Sequence, residues 1–378
     1  MISKLASRTR KKALKKIKPK SPDELSASWI QEDLLYSGKG RALFMILPTI
    51  GCSWALSETG GCTMCSYISD SFLEPVDAGE IIEIFDGIIS RYELDIYESK
   101  NGNIIKIFDG IISRYELEEK TAVKIFTSGS FLNPEEFPQE AVEHILSRLG
   151  AMENVEEIIF ESRPEYINQE AIARCCELAG DKIVEISIGL ETCNEKTRLM
   201  KINKGFSNSD FEIAVNTISD LKGDFNVRAK AYILVKPILV SEKRAVEEAI
   251  STAIYAEKVG VDRLSFCPST VHRGTIMEDL WRKGSYRPPW IWSLIEIINR
   301  TREKVSVPAI MDTSGFGTSR GPYNCKKCNR DLKNLIIRAN LEQTQVPAYE
   351  CECRSQWLAE LKFSETTAST DIKYSEYS

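Results

Sequence analysis

Three cysteines, Cys52, Cys62 and Cys65, lie in one short stretch that also contains glycines. The stretch directly follows a short apolar run, residues 42–48, which predicts a buried strand. Open sheets and barrels place their chemistry on loops at the carboxyl ends of strands. An electron-transfer iron–sulfur cluster has four cysteine ligands, so three ligands leave one iron open to a small molecule. A half-site for zinc and a set of buried thiols are the alternatives.

Length and composition limit the class of protein. At 378 residues with 43% hydrophobic side chains, the chain is long enough for one large α/β domain and an appendage. No apolar run approaches the roughly 18 residues of a membrane span, and no signal-peptide core follows the basic start. These absences predict a cytoplasmic protein, in which 11 cysteines indicate metal binding rather than disulfides. Two histidines argue against histidine-based metal sites and Ser-His-Asp hydrolysis.

Charge is distributed unevenly along the chain. The first 20 residues carry nine lysines or arginines and no acid, so a net charge of −6 leaves −15 on the remainder. Such a basic segment is able to contact nucleic-acid phosphates, and a solvated terminus is the equally weighted alternative. Residues 286–292 offer aromatic side chains beside arginine, a combination that stacks on unpaired bases. For Trp290 and Trp292, burial in the core is the favoured alternative.

Predicted strands and amphipathic helices alternate through most of the chain, which indicates a parallel sheet with right-handed crossovers. The strands are expected at residues 42–48, 123–126, 157–160, 184–189, 229–235 and 263–266. Residues 307–312 are a candidate for one further strand. The sequence therefore predicts an α/β fold.

One segment is duplicated. Residues 81–94 recur as residues 104–117 with a single difference, Glu83 against Lys106. A solenoid needs about three or more repeats, so we interpret the pair as a tandem duplication or a sequence error without function. One crossover has room for one helix against the sheet. We therefore expect one copy to be displaced outward.

A second group of cysteines lies near the end of the chain. Its members form two close pairs, Cys325 with Cys328 and Cys351 with Cys353. Residues 329–350 separate the two pairs. Two close pairs at this separation are typical of a closed tetrahedral zinc site that stabilises a small subdomain. A second iron–sulfur cluster and unliganded thiols are the alternatives. The remaining cysteines are expected in the core; they are Cys175, Cys176, Cys193 and Cys267.

The first cysteine loop resembles that of the radical S-adenosylmethionine (SAM) superfamily, Cys-x3-Cys-x2-Cys with an apolar residue before the last cysteine. Cys62, Met64 and Cys65 fit this pattern, whereas nine residues separate Cys52 from Cys62. The wider gap resembles the archaeal branch that acts in archaeosine biosynthesis, near the elongator radical-SAM subunit. The same resemblance extends to residues 161–165, 187–192, 286–293 and 320–325. It implies a partial, TIM-like (βα)6 barrel, a [4Fe–4S] cluster on Cys52, Cys62 and Cys65, and SAM with Met64 beside its adenine.

Polar residues that follow three of the predicted strands are candidates for holding SAM. They are Thr127, Ser128, Gly129, Ser130, Glu161, Arg163 and Glu191. The first four resemble the superfamily motif that binds the methionine amine. Glu161 and Arg163 are expected to pair with the charged methionine end, and Glu191 with the ribose hydroxyls. Residues 201–205 resemble a segment of the elongator-type relatives and fit a helix end closed by glycine equally well.

The archaeosine branch implies tRNA modification. In it, a partner synthase attaches lysine to 7-cyano-7-deazaguanine at position 15 of tRNA. The radical enzyme, which requires a low-potential electron donor, then cleaves a carbon–nitrogen bond of that lysine. The alternatives are another tRNA-modifying radical SAM enzyme and a non-catalytic iron–sulfur and zinc protein that binds RNA.

The chain is expected to divide into four parts, with no membrane association. They are a basic extension (1–40), a barrel core (41–306), a cysteine-rich subdomain (307–363) and a flexible tail (364–378).

Overall fold

The computed structural model describes residues 2–18, 20–100 and 120–366, apart from the side chains of residues 93–100 and 364–366. Within these residues, eight strands form one sheet in the order of the chain. The first two strands are antiparallel, and all later neighbours are parallel. The strands are β1 Ala27–Leu35, β2 Gly38–Ile46, β3 Thr121–Phe126, β4 Val155–Ser162, β5 Ile183–Glu191, β6 Val227–Val235, β7 Arg263–Pro268 and β8 Ala309–Met311.

Helices connect the parallel strands and cover one face of the sheet. They are α1 Ile2–Leu14, α2 Pro22–Leu25, α3 Ser53–Leu56, α4 Ala78–Lys100, α5 Gln139–Gly150, α6 Gln169–Ala179, α7 Glu195–Thr197, α8 Asn208–Asp220, α9 Glu242–Val259, α10 Ile276–Arg282, α11 Ile291–Arg302, α12 Asn329–Glu342 and α13 Arg354–Thr366. Short 3₁₀ turns at Tyr67–Asp70 and Pro164–Tyr166 and a π-helical turn at Arg198–Ile202 complete the described helical structure. None of the helices described here combines the length and the apolar composition that a membrane-spanning segment requires.

The two faces of the sheet differ in polarity. In β5, Val184, Ile186 and Ile188 are buried in the main apolar core beneath the helices. Glu185 and Ser187 alternate with them and therefore lie on the opposite face. The sheet is thus a curled half-barrel with an apolar outside and a polar inside, and the predicted α/β partial barrel is confirmed.

The sheet has one more strand than the sequence patterns indicate. The first six residues of β1 are exposed, so this edge strand lacks the buried apolar run that marks the others. At the opposite edge, β8 leaves backbone groups that α12 satisfies. Asn340 accepts from the Met311 nitrogen at 3.1 Å and donates to its carbonyl at 2.8 Å. Gln343 bonds Ala309 in the same way, which protects this edge from pairing with another chain.

A buried ion cluster closes the half-barrel at the amino-terminal ends of the parallel strands. The Arg263 guanidinium lies 3.2 Å from the Glu157 carboxylate and 3.1 Å from that of Glu185. Lys230 lies 3.2 Å from Glu185, and the Tyr36 hydroxyl donates to the same carboxylate at 2.8 Å. Burial raises the pKa of Glu157 to about 7. For Glu185, the charges of Arg263 and Lys230 outweigh burial and lower the pKa to about 2.

We expect Arg263→Met to destabilise the protein by about 3–5 kcal/mol, because two fully buried carboxylates lose their shared partner. Urea denaturation measures the loss. The matched control is Arg300→Met, which removes a surface ion pair with Glu247 and is expected to cost about 1 kcal/mol or less. Equal losses in the two variants would show that the buried cluster does not stabilise the barrel.

The first copy of the duplicated segment lies in α4. Its apolar side chains, from Ile81 to Tyr92, are buried in the main core, so this copy occupies the crossover against the sheet. The second copy, residues 104–117, lies outside the described residues. The expectation that one copy is displaced outward concerns these residues and stays a prediction. Residues 367–378 of the predicted tail also lie outside them.

Candidate functional site

The cysteine loop leaves the carboxyl end of β2, as predicted. Cys52 directly precedes α3, and a turn at Gly60 and Gly61 returns the chain to Cys62. Both glycines have φ of +73°, and a Cβ on Gly60 would lie 2.3 Å from the Ser7 nitrogen, so other residues do not fit there. The nine-residue gap between the first two cysteines thus contains a helical turn and a tight bend. This local structure accounts for the departure from the usual three-residue gap.

Residues 201–205 hold this loop in place. The Asn203 side chain, at a left-handed φ of +62°, donates to the carbonyls of Thr59 at 3.1 Å and Gly61 at 2.7 Å. The backbone carbonyl of Asn203 accepts from the Trp54 indole at 2.7 Å. Gly205 lies against that indole, where a Cβ would come within 2.2 Å of the ring. The segment therefore ends a helical turn, as the helix-end interpretation predicts, and it also fastens the cysteine loop.

The three thiols lie close enough to affect one another's ionisation. The pKa of Cys62 is raised to about 12, mainly by burial; the Lys204 ammonium opposes this shift, and the neighbouring Cys65 and Cys52 contribute to it. Burial also raises the pKa of Cys52 and of Cys65. Thiolate ligands in this position therefore need a cationic centre to compensate them. Three cysteine donors on one loop, within the electrostatic reach of Arg163, Lys204 and Arg10, fit an iron–sulfur cluster.

The loop after β3 lies against the cysteine loop. Glu136 joins the two, because its carboxylate accepts from the Ser53 nitrogen at 2.8 Å and from the Ser130 nitrogen at 2.5 Å. A Cβ on Gly129 would lie 2.2 Å from that carboxylate, and Ser128 has a left-handed φ of +54°. The structure thus brings Thr127, Ser128, Gly129 and Ser130 beside Cys52. The sequence patterns did not identify Glu136, which lies between strands in an otherwise ordinary polar loop.

Glu161 and Glu191 lie on the inner face of the half-barrel. Burial raises the pKa of Glu161 to about 7, although a hydrogen bond from Tyr232 opposes the shift. Glu191 pairs with Lys204 at 2.7 Å. Burial alone would lower the pKa of Lys204, but the Glu191 charge outweighs it and the pKa is raised. Lys204 is a site residue that the sequence patterns do not identify, since neither the resemblance of residues 201–205 to the elongator-type relatives nor their helix-end interpretation singles it out.

Arg163 is engaged within the chain. Its Nε donates to the Glu165 carboxylate at 2.5 Å, and Nη1 donates to the Lys204 carbonyl at 3.2 Å. The guanidinium lies 5.1 Å from the centre of the Trp54 ring. Its predicted contact with a cofactor carboxylate therefore remains a proposal.

Two further residues lie in places that the sequence did not define. Met64 packs against a small apolar cluster that includes Ala6 and Met277. Cys267 was expected in the core, but it is partly exposed on the inner face of β7, within the electrostatic reach of Asp312 and Glu161. Strand alternation could have indicated this position, because residues two apart in a strand share a face and Cys267 lies two positions after the polar Ser265. The core expectation is confirmed for Cys175 and Cys176, which are buried, and is wrong for Cys193 and Cys267, which are partly exposed.

The second cysteine group converges. The Cys325 sulfur lies 3.4 Å from that of Cys328 and 3.6 Å from that of Cys351, and Cys328 lies 3.6 Å from Cys353. All four sulfurs lie within 4.8 Å of one another. Four sulfurs at the usual 2.3 Å from one tetrahedral zinc would be about 3.8 Å apart. A four-iron cluster binds each sulfur to a different iron and needs wider spacing. The geometry fits a single metal ion.

Both tryptophans near this group are buried, so the favoured core interpretation is confirmed. The Trp292 indole donates to the Cys353 sulfur at 3.4 Å. Trp290 donates to Glu360 at 2.6 Å and lies beneath the Arg287 guanidinium, 3.7 Å from the ring centre. These residues join the cysteine group to α11 and α13.

Comparison with known proteins gives the family. No protein-family model matches the chain. The archaeosine synthase subunit beta of Methanosarcina acetivorans is 33% identical over 364 residues, covering 94% of this chain and 95% of that protein. The corresponding protein of Thermococcus kodakarensis is 35% identical over 336 residues, covering 87% and 94%. The chain belongs to the archaeosine synthase subunit beta family.

This membership confirms the resemblance of the cysteine loop to the archaeosine branch of the radical SAM superfamily. An uncharacterized protein of Methanocaldococcus jannaschii is 38% identical over 356 residues, covering 93% of this chain and 90% of that protein. Among solved structures, Elp3 of Methanocaldococcus infernus is 15% identical, with a TM-score of 0.48 over 71% of this chain and 61% of that chain.

Proposed function

We propose that this protein is a radical SAM enzyme of archaeosine biosynthesis, with a [4Fe–4S] cluster on Cys52, Cys62 and Cys65. The observation that carries the proposal is the position of these three cysteines on one loop at the carboxyl end of β2, in a half-barrel with a polar inner face. The family membership supports the pathway. When bound, the cluster and SAM supply a 5′-deoxyadenosyl radical that removes a hydrogen atom from the substrate.

We assign the binding of SAM to the residues around the cysteine loop. Gly129 lies beside Cys52, and the hydroxyl of Thr127 is buried with no hydrogen-bond partner among the described residues. Glu161 and Glu191 offer carboxylates on the inner face, where Lys204 balances the charge of Glu191. Met64 is assigned to the adenine side. The buried ion cluster of Arg263, Glu157 and Glu185 occupies the opposite end of the barrel.

We propose a lysine adduct of 7-cyano-7-deazaguanine at position 15 of tRNA as the substrate. Loss of a hydrogen atom from the lysine carbon one position further from the nitrogen permits β-scission of the carbon–nitrogen bond, which leaves a carbon–carbon double bond on the lysine fragment. One electron from the low-potential donor and one proton then convert the nitrogen radical into the amidine. The amidine of archaeosine then remains on the base. This role needs a partner synthase that adds the lysine and a low-potential electron donor in the cytoplasm. The relatives' name, "subunit beta", supports the existence of a partner subunit.

We propose that the four C-terminal cysteines hold one structural zinc ion. The sulfur separations and the indole N–H donated to Cys353 support this assignment, since hydrogen bonds to a coordinating thiolate are typical of metal sites. Four protein ligands leave no open position for catalysis.

The substrate assignment is tested with tRNA that carries the lysine adduct. Reconstituted protein, SAM and a strong reductant are expected to convert the adduct into archaeosine, measured by mass spectrometry of the nucleosides. The control is the same tRNA with 7-cyano-7-deazaguanine and no lysine, which should stay unchanged. If 5′-deoxyadenosine forms but the adduct stays intact, the protein is still a radical SAM enzyme and the lysine adduct is not its substrate.

A further inference from the structure

The basic segment at the start of the chain forms helix α1, and one side of this helix is fixed to the cysteine loop. Ala6 and Arg10 are buried. Arg10 donates to the Gly60 carbonyl at 3.2 Å and to the Cys65 carbonyl at 2.8 Å. Near the start of the helix, the Ser3 hydroxyl donates to the Asn203 side chain at 2.9 Å. The helix thus contacts both the loop that carries the cysteines and the segment that fastens it.

The opposite side of α1 carries an uninterrupted row of cations. Lys4, Arg8, Lys11 and Lys15 recur at helical spacing, with Lys12 beside them. All five are exposed, and none forms an ion pair with another described residue. The row extends for about 16 Å along the helix. Together with Ser7 and Glu58, the five cations line a shallow cleft of about 390 Å³.

The chemistry of this surface favours an extended polyanion. A row of unpaired cations with one acid nearby attracts successive phosphates, as nucleic-acid-binding surfaces do. A membrane-binding helix would instead expose an apolar side, but the apolar cluster that includes Ile2 and Ala6 is covered by α10 and the cysteine loop. The rest of the chain has a net charge of −15 and repels a polyanion, which confines binding to this surface.

We propose that the exposed side of α1 binds the phosphate backbone of RNA and places the RNA beside the cysteine loop. The identity of this RNA as the substrate rests on the proposed function, whereas the binding does not. Because Arg10 joins the helix to the backbone at Cys65, a bound RNA is held within one helix diameter of the loop, about 10 Å.

The test measures binding of a fluorescent tRNA transcript over a range of salt concentrations. The variant is Lys4→Gln, Arg8→Gln, Lys11→Gln and Lys15→Gln combined. Each lost phosphate contact reduces the slope of log affinity against log salt by about 0.7–0.9, so we expect a slope shallower by about 3 and binding at least ten-fold weaker. The matched control neutralises four exposed or half-exposed cations elsewhere on the protein, and we expect it to keep the salt slope and the affinity of the parent protein. These cations are Lys304, Lys333, Arg338 and Lys362.

Three outcomes would overturn the proposal. The first is an unchanged salt slope of tRNA binding in the α1 variant, and the second is an equal loss of tRNA affinity in the control variant. The third is an α1 variant that loses binding to vesicles of anionic lipid but keeps its binding to tRNA. Circular dichroism and retained iron verify that the α1 variant is folded. Formation of 5′-deoxyadenosine without RNA is expected to be unchanged in this variant. If RNA binding depends on α1 but the protein does not act on the lysine adduct, the proposed substrate is wrong and the RNA-binding role of α1 still holds.

Discussion

Replacing any one of Cys52, Cys62 and Cys65 with alanine is expected to abolish cluster binding and SAM cleavage. Loss of a residue that only supports a metal ligand typically costs 10–100-fold, so loss of a ligand itself should cost at least about 100-fold. The remaining two thiols are also a worse site, because burial favours their protonated forms and no third sulfur completes the set. Iron content, the visible absorption of the cluster and 5′-deoxyadenosine formation measure the loss.

The matched control for these variants is Cys175→Ala. Cys175 is buried in the core on α6, away from the cysteine loop, so its replacement removes a similar volume without touching the site. It is expected to retain the iron and the activity at a small cost in stability. If a single variant of the loop kept a full cluster and full activity, the assignment of that cysteine as a ligand would be wrong.

Replacing Cys328 with serine is expected to lower the free energy of unfolding by about 5 kcal/mol or more. Structural zinc sites in small peptides contribute about 10–16 kcal/mol, and this site is supported in part by the main core. Denaturant unfolding with and without a chelator measures the difference. A chelator should destabilise the parent protein and leave the Cys328→Ser variant nearly unchanged.

Metal content separates zinc from a second iron–sulfur cluster at this site. A variant that lacks Cys52, Cys62 and Cys65 together is expected to contain one zinc ion and no iron. Iron that persists in this variant would contradict the zinc assignment. Trp292→Phe keeps the packing and removes the N–H donated to Cys353, so it should weaken zinc binding by about 10–100-fold without changing the metal.

Local patterns in the sequence predicted the parts of the fold and the site that depend on short-range order. The parallel strands were predictable because each is a short buried run followed by polar residues. The two cysteine groups were predictable because their spacing is specific to metal sites. Strand β1 was not, since its exposed first residues carry no apolar pattern and its pairing with β2 is a tertiary contact.

The contacts that hold the site together join residues far apart in the chain, and this is why the sequence did not reveal them. Glu136 reaches Ser53 across 83 positions, and Asn203 reaches Gly61 across 142. Arg10 looked like one cation among nine, yet it is buried beneath the cysteine loop. Composition identified the positive charge of this segment but not which side of α1 carries it.

The most direct test of the central claim is an anaerobic assay of SAM cleavage. Reconstituted protein is mixed with SAM and a strong reductant, and 5′-deoxyadenosine is quantified with and without tRNA that carries the lysine adduct. We predict formation without RNA and a marked increase with the adduct. The absence of 5′-deoxyadenosine from protein with a full cluster would contradict radical SAM chemistry and would favour a non-catalytic, RNA-binding role.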